Sequence, residues 1–413
     1  MPMKSVAFVS YRYPLGVSSM IINSIRLFSR KGYLVDVYVN KEHYDQSPIS
    51  FTESNISVII SDDRSFSLFF KCYRFLSKHV GDYFLCIAKR LSFKACLLLF
   101  FPGIYRFMKW LNGQMARRTY SYVFPVECMN LICLSSLKDK KKIVYFNLEL
   151  LDWEKGDFAY GNNKFVLKHL EYRMIKNLSR VITPSPRRSE IFSQINHFER
   201  DNVFSLPVVP LGDAVTRKSH FFREMFKIPE KHRIVLYCGQ FVPYFQCIEI
   251  IQSVLSWPDD TVLIMHTWNR TALKTHYYKE MKKAAFDLPV YFSTRYIAYN
   301  DLADAMSSAD IGLAFYEAVD RNYTEILFSS NKIGEYLKAG LGIICSDFPS
   351  VKQFVEAHDI GMAVPVHQLP KAIRGISGRI DSVRDNVLRC YNKELRFENY
   401  FNPFYNKLQD FNT

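Results

Sequence analysis

The sequence predicts an α/β protein of two Rossmann-like domains facing a cleft, with a basic and aromatic helical insertion in the first domain. Three observations carry that expectation. Short, unbroken apolar runs such as Ser5–Ser10, Arg233–Cys238 and Thr261–His266 have the length and composition of strands buried on both faces. Most are followed by a loop and then by a segment with apolar residues at helical spacing. The pattern also starts twice, on either side of a stretch, 210–229, that reads as a linker. A chain of 413 residues has the length for two such domains.

Ser5–Ser10 reads as the first strand, 11–19 as a loop with Pro14 and Gly16, and Met20–Ser29 as a helix with Ile21, Ile22, Ile25 and Phe28 on one face. Gly32 stops that helix, and Leu34–Val39 and Ile56–Ser61 follow as strands. Lys142–Phe146 is a strand that ends in Asn147–Asp152. Leu167–Leu178 is a helix, Arg180–Pro184 a strand with a helix from about Ser185, and Asn202–Val209 an extended segment. The second series opens with the strand Arg233–Cys238, the loop 239–246 and the helix Cys247–Leu255. Thr261–His266, Pro289–Phe292, Ile311–Phe315 and Gly342–Ser346 read as its further strands. Leu273–Ala285, Asn300–Ser307 and Lys332–Lys338 read as its helices. The implied domains are 1–206 and 207–385, with 386–413 as a closing helix.

Hydrophobic residues make up 48% and charged residues 23%, which excludes a disordered chain. The longest apolar run, Ala95–Phe101, has seven residues, whereas a spanning helix needs ~20. The N-terminus enters a strand without the regions of a signal peptide, so a cytoplasmic protein is expected. Nine cysteines without zinc spacing read as reduced core thiols. The net charge of +14 favours phosphate-bearing partners. Residues 64–118 hold eleven Lys/Arg and one acid, Asp82, among many Phe and Leu. This insertion reads as a peripheral attachment to an anionic membrane surface. A packed helical subdomain is the alternative, and no nucleic-acid motif accompanies it.

The chemistry concentrates in Ser329–Asp347. Ser329, Ser330 and Asn331 are good caps for the helix that follows, and its exposed N–H groups and dipole suit a phosphate. Lys332 adds a cation. Glu335, one turn further in, is placed to accept hydrogen bonds from ribose hydroxyls. Gly340 ends the helix. This stretch resembles the donor-site signature of two-domain (GT-B) glycosyltransferases, most closely the retaining family 4 group. There a Glu-aromatic-x-x-Ala-Gly helix precedes an apolar strand, as in Glu335–Gly340 here. Ser308–Phe315, 347–350 and Val355–Gly361 resemble the family's flanking elements.

The resemblance implies a sugar transferred with retention from a nucleoside diphosphate donor, held mainly by the second domain, to an acceptor held by the first. It implies no cofactor and no essential metal, and the chain has no Asp-x-Asp. The insertion points to a lipid-linked or glycan acceptor in surface polysaccharide or glycolipid assembly. Two departures stand out. The family's second carboxylate, eight residues before Glu335, is Leu327 here, which leaves Glu325 as the nearest candidate. The family's Gly-Arg…Lys-Gly loop reads Gly239-Gln240…Phe245-Gln246. Charge for the leaving diphosphate must then come from Lys332, Lys274, Arg270, Arg295 or the helix start. His266, Trp268, Arg270 and Arg295 follow strands at the expected carboxyl edge and are donor-site candidates. In the first domain, Arg12, Gly16 and Ser18 occupy the loop after the first strand. Glu149 ends another strand, where a partly buried carboxylate would orient or deprotonate an acceptor hydroxyl. Two other readings stay open: a catalytically weakened module that binds nucleotide sugar or a partner enzyme, and a nucleotide-sugar 2-epimerase.

Overall fold

The computed structural model describes residues 3–11, 13, 15–45, 48–62, 88–153, 164–269 and 271–410. The chain divides into two compact units, Met1–Pro207 and Val208–Thr413.

Unit 1 carries strands β1 (Ser5–Ser10), β2 (Leu34–Asn40), β3 (Ile56–Ser61), β4 (Tyr122–Pro125), β5 (Val144–Phe146), β6 (Arg180–Thr183) and β7 (Val203–Ser205). They form the ladders β3-β2-β1-β4 and β5-β6-β7, all parallel. Parallel bridges Val123–Ile143 and Val126–Phe146 join the two. The apolar residues that mark β1 as a central strand are all buried. Ser19–Arg30 lays Ile21, Ile22, Ile25 and Phe28 into the core, and Gly32, at φ +84°, turns the chain back into β2.

The sequence reading places no strand at β4. Four residues ending in Pro125 give too short an alternation to register, yet this strand pairs with β1 at the centre of the sheet. Between β3 and β4 lie the helices Phe93–Phe100 and Pro102–Met115. Leu97, Phe100, Phe107 and Leu111 are buried in the unit 1 core, with Phe93 and Trp110 packed against it. These apolar residues therefore serve packing, and on Phe93–Phe100 only Leu98 and Leu99 stay about half exposed, at 49% and 54%. The first part of the insertion, 63–87, lies outside the described residues. No helix among the described residues is long and apolar enough to cross a membrane. The seven described cysteines are free and buried.

Unit 2 holds β8 (Arg233–Cys238), β9 (Thr261–His266), β10 (Val290–Ser293), β11 (Ile311–Ala314), β12 (Gly342–Cys345) and β13 (Gly361–Ala363). Their spatial order is β10-β9-β8-β11-β12-β13, all parallel. The order reverses between β8 and β11, and ligands of such sheets sit outside the carboxyl ends of the strands at that point. The stretch read as a linker contains a short helix, Phe221–Phe226, because Phe222 buries itself and its N–H reaches Ser308 Oγ at 3.2 Å. The C-terminal residues continue unit 2 as helices Ile380–Cys390 and Phe397–Asp410, and Tyr391 between them donates to the Pro210 carbonyl at 2.7 Å.

The β8–β11 ladder is short, pairing only Val235 with Ile311 and Leu236 with Gly312. Beyond it the Tyr336 hydroxyl bridges the two strands. It accepts from the Cys238 N–H at 2.7 Å and donates to the Leu313 carbonyl at 3.2 Å. The Tyr336 ring lies flat on Gly312, where an added Cβ would meet it at 2.4 Å. Gly312→Ala should force the ring off this seat. We expect a loss of ~1–3 kcal/mol, read as faster amide exchange at Cys238 and across β11. Unchanged exchange there would show that the ring is free to move.

Candidate functional site

The sequence-predicted cation stands at the β8/β11 crevice, in an unexpected setting. The Asn331–Lys338 helix starts at Ser330, whose Oγ accepts from the Ile333 N–H at 3.3 Å and pairs with the Tyr316 hydroxyl at 2.6 Å. From the first turn Lys332 points back over the ends of the strands. Its Nζ lies 3.8 Å from the Phe245 ring centroid, 4.5 Å from Tyr316 and 4.8 Å from Tyr237. The ammonium is buried and has no hydrogen-bond partner among the described residues. Burial lowers its pKa to about 8. Tyr244 and Tyr323 extend the aromatic wall. Three ring faces surround the ammonium and attract it through their negative faces. The residue at the position of the family's lysine, Phe245, thus acts through its π face. Gly239 keeps the floor open, since a Cβ there would meet Lys332 Cε at 2.9 Å. Gln240 turns its side chain to solvent and offers its carbonyl to the Tyr237 hydroxyl at 2.6 Å.

Glu335 is buried, one turn inside the helix, and burial raises its pKa to about 8. The sequence reading has a carboxylate here. In the free protein this group is a neutral acid at pH 7, able to donate as well as accept. Burial penalises its ionised form, so the group costs the fold nothing below about 4.5, and a cost builds as pH rises from there to about 8 and is complete above it. Asn331 opens the helix, half-buried. Glu325 follows a short helix, Arg321–Thr324, and its carbonyl accepts from Ser329 Oγ at 3.3 Å, so it stands one turn before the capped helix.

Other candidates part company with this cluster. His266 is buried, 2.9 Å from Ser293 Oγ, and burial lowers its pKa to about 4. It is a neutral core group and supplies no charge to a phosphate. Arg295 is exposed and lies over the Phe221 ring at 5.9 Å. Lys274 is exposed on the Ala272–Lys274 turn, and Trp268 is half-buried after β9. Arg270 lies outside the described residues, as does Arg12.

In unit 1 the carboxyl edge of β1, β4 and β5 carries a different acid from the one expected. Glu149 is exposed, its side chain 48% accessible and 3.8 Å from Arg188 Nη1, which corrects the partly buried carboxylate anticipated there. The buried acid is Glu127, two residues after the end of β4, in the left-handed region at φ +68°. That turn aims the side chain inward, where Oε1 accepts from the N–H groups of Leu148 and Glu149 at 2.9 and 3.0 Å. Burial, with the charges of Glu149 and Glu171, raises its pKa well above the carboxylate range. A non-glycine residue at positive φ is uncommon, and this one stands at the carboxyl edge of the unit 1 sheet. The only sequence signal was an acid right after a short apolar run. Gly16 lies on the Leu15–Val17 turn, and Ser18 is buried at the start of the Ser19–Arg30 helix without capping it.

No protein-family model and no curated protein matches this chain. Solved structures do. Sucrose-phosphate synthase from Thermosynechococcus elongatus superposes with a TM-score of 0.69 at 13% identity, over 98% of this chain and 99% of that one. HepE of Anabaena, solved with UDP and glucose, gives 0.66 at 12%, over 98% and 100%. WaaG, a glycosyltransferase involved in lipopolysaccharide biosynthesis, gives 0.63 at 15%, over 95% and 96%. At these identities the likeness establishes the fold, and the chain has the parallel α/β fold of the GT-B glycosyltransferases.

Proposed function

We propose that the chain is a glycosyltransferase of the retaining family 4 type. It moves a hexose-like sugar from a nucleoside diphosphate donor bound by unit 2 to a lipid-linked or glycan acceptor bound by unit 1. The observation that carries the reading is the convergence at the β8/β11 switch point. An unpaired buried cation, a capped helix start and a buried carboxyl one turn inside it surround the place where such sheets bind phosphate and ribose. In this reading Lys332 leaves its aromatic seat for the donor diphosphate and offsets the charge that develops as the nucleotide departs. Glu335 meets the ribose hydroxyls, and Glu325 is the second carboxylate beside the donor. The transfer needs no metal. Glu127 and Glu149 face the acceptor side. The basic insertion holds the protein at an anionic membrane surface, in surface polysaccharide or glycolipid assembly.

UDP is the first nucleotide to test, because HepE was solved with it. Glu335→Ala should weaken UDP binding by about 0.5–1.5 kcal/mol in calorimetry, the worth of a hydrogen bond between neutral groups. The same affinity in a folded variant would end the assignment. An assay with donor alone separates the remaining readings. Turnover without acceptor indicates an epimerase, and binding without turnover under either condition indicates a binding module. The aromatic replacement at Phe245 is the observation that keeps the module in view.

A further inference from the structure

At the amino ends of β5 and β6, opposite the edge that carries Glu127, unit 1 holds a groove of about 600 Å³. Its lining combines two chemistries. Leu97, Met108 and Met174 are buried beneath it. Around it stand Lys94, Arg173 and Lys176, and no acid among the described residues lines it. Arg173 rests over the Phe93 ring at 5.3 Å and Lys176 over Tyr172 at 4.6 Å. Among the described residues neither these three nor the neighbouring Lys89 and Arg90 forms an ion pair. The charges of Arg173 and Lys89 also reach His169. Burial, together with these charges, lowers its pKa, and among the described residues its buried Nε2 has no hydrogen-bond partner. Lys140, also lining the groove, spends its protons on the carbonyls of Leu134, Ser135 and Leu137 and closes one wall.

Cations gathered without counter-charge repel one another, so the arrangement favours an anion. The exposed Leu98 and Leu99 beside the groove suit an anion that carries a hydrocarbon part. Phe93–Phe100 supplies the continuation. Leu98 lies one turn on from Lys94 on the same face, and both it and Leu99 are exposed. We infer that this groove is a headgroup site for an anionic phospholipid. Its phosphate sits among Lys94, Arg173 and Lys176, and its acyl chain runs along Leu98 and Leu99. The inference gives the proposed membrane attachment a specific, saturable site. It does not depend on donor binding, because every residue involved lies in unit 1.

The test uses the full chain. Short-chain phosphatidylglycerol below its micellar concentration should bind with one-to-one stoichiometry in calorimetry. Vesicles containing phosphatidylglycerol should pellet the protein where phosphatidylcholine vesicles do not, and less so as salt rises. Lys94→Glu with Lys176→Glu, both exposed positions, should weaken the soluble lipid at least tenfold and abolish pelleting, with an unchanged circular dichroism spectrum. Leu98→Ser with Leu99→Ser should weaken lipid binding without creating any preference for inorganic phosphate. Inorganic phosphate bound as tightly as the lipid would overturn the inference in favour of a free-phosphate site. Undiminished pelleting of the charge-reversed variant would place the membrane contact elsewhere, and no lipid binding at all would end it. UDP affinity measured in parallel should be the same in all these proteins. If the wild type fails to bind UDP while lipid still binds, the transferase reading fails and the groove stands.

Discussion

Replacing Glu171 with leucine should cost unit 1 about 3–5 kcal/mol, the expected price of leaving one member of a buried ion pair alone. Glu171 and Lys168 have side chains 0% and 1% exposed, with Nζ and Oε2 2.8 Å apart. Each member has a further hydrogen bond outside the pair. Lys168 also reaches Asn196 Oδ1 at 2.6 Å, and Tyr145 donates to Glu171 Oε1 at 2.7 Å. Asn147 donates to the Tyr145 oxygen at 3.0 Å and to the Glu149 carbonyl at 3.2 Å. The network therefore ties the Lys164–Ile175 helix to the end of β5, next to Glu127. Hydrogen exchange read by mass spectrometry should show β5 and β6 losing protection while β8–β13 keep theirs. The double variant Lys168→Met with Glu171→Leu should recover most of the loss, because no charge is then stranded. If the single variant exchanges like the wild type, water reaches Lys168 and the pair is not dry.

Lys332→Met should lower affinity for a nucleoside diphosphate by at least tenfold, or about 1.4 kcal/mol or more, and lower turnover further. It should do so without destabilising the free protein. The sign follows from the lysine's pKa of about 8 against an ordinary 10.5. The unfolded chain binds this proton more tightly, so the folded state carries a cost that is complete below pH 8. As pH rises from about 8 to 10.5 that cost disappears. Methionine keeps the length of the side chain within the three rings and removes the cost, so the variant should be at least as stable at pH 7. Anion binding runs the other way. It needs the protonated amine, so wild-type affinity should fall as pH rises through about 8, with proton uptake on binding detectable in buffers of different ionisation enthalpy. The variant should show neither effect. A variant that binds like the wild type, with the same pH profile, would remove Lys332 from the phosphate site.

Strands β8, β9, β11 and β12 are legible in the sequence because each is a contiguous apolar run buried on both faces, whereas β13, three residues long, gives no such run and the sequence reading places no strand there. β8 and β9 match their expected bounds to the residue. The helix at Asn331–Lys338 is equally legible, because its cap, its turn-by-turn spacing and Gly340 are all local signals. Lys332 and Glu335 could be named as a phosphate cation and a carboxyl on those grounds alone.

What the tertiary structure decided is which of these groups are charged and which stand together. Phe245 comes to face Lys332 only because β8 and β11 are neighbours, although the chain separates those strands by more than seventy residues. That neighbourhood supplies the three rings and the burial that depress the amine's pKa. His266 ends its strand as a ligand would, but desolvation leaves it neutral. At the carboxyl edge of the unit 1 sheet Glu127 is the buried acid and Glu149 the exposed one, and Glu127 sits in the left-handed region at φ +68°. Sequence pattern reports periodicity, and periodicity determines secondary structure and the core. Ionisation and proximity depend on what packs across the sheet, and that is set by strand order and by a few positive φ angles.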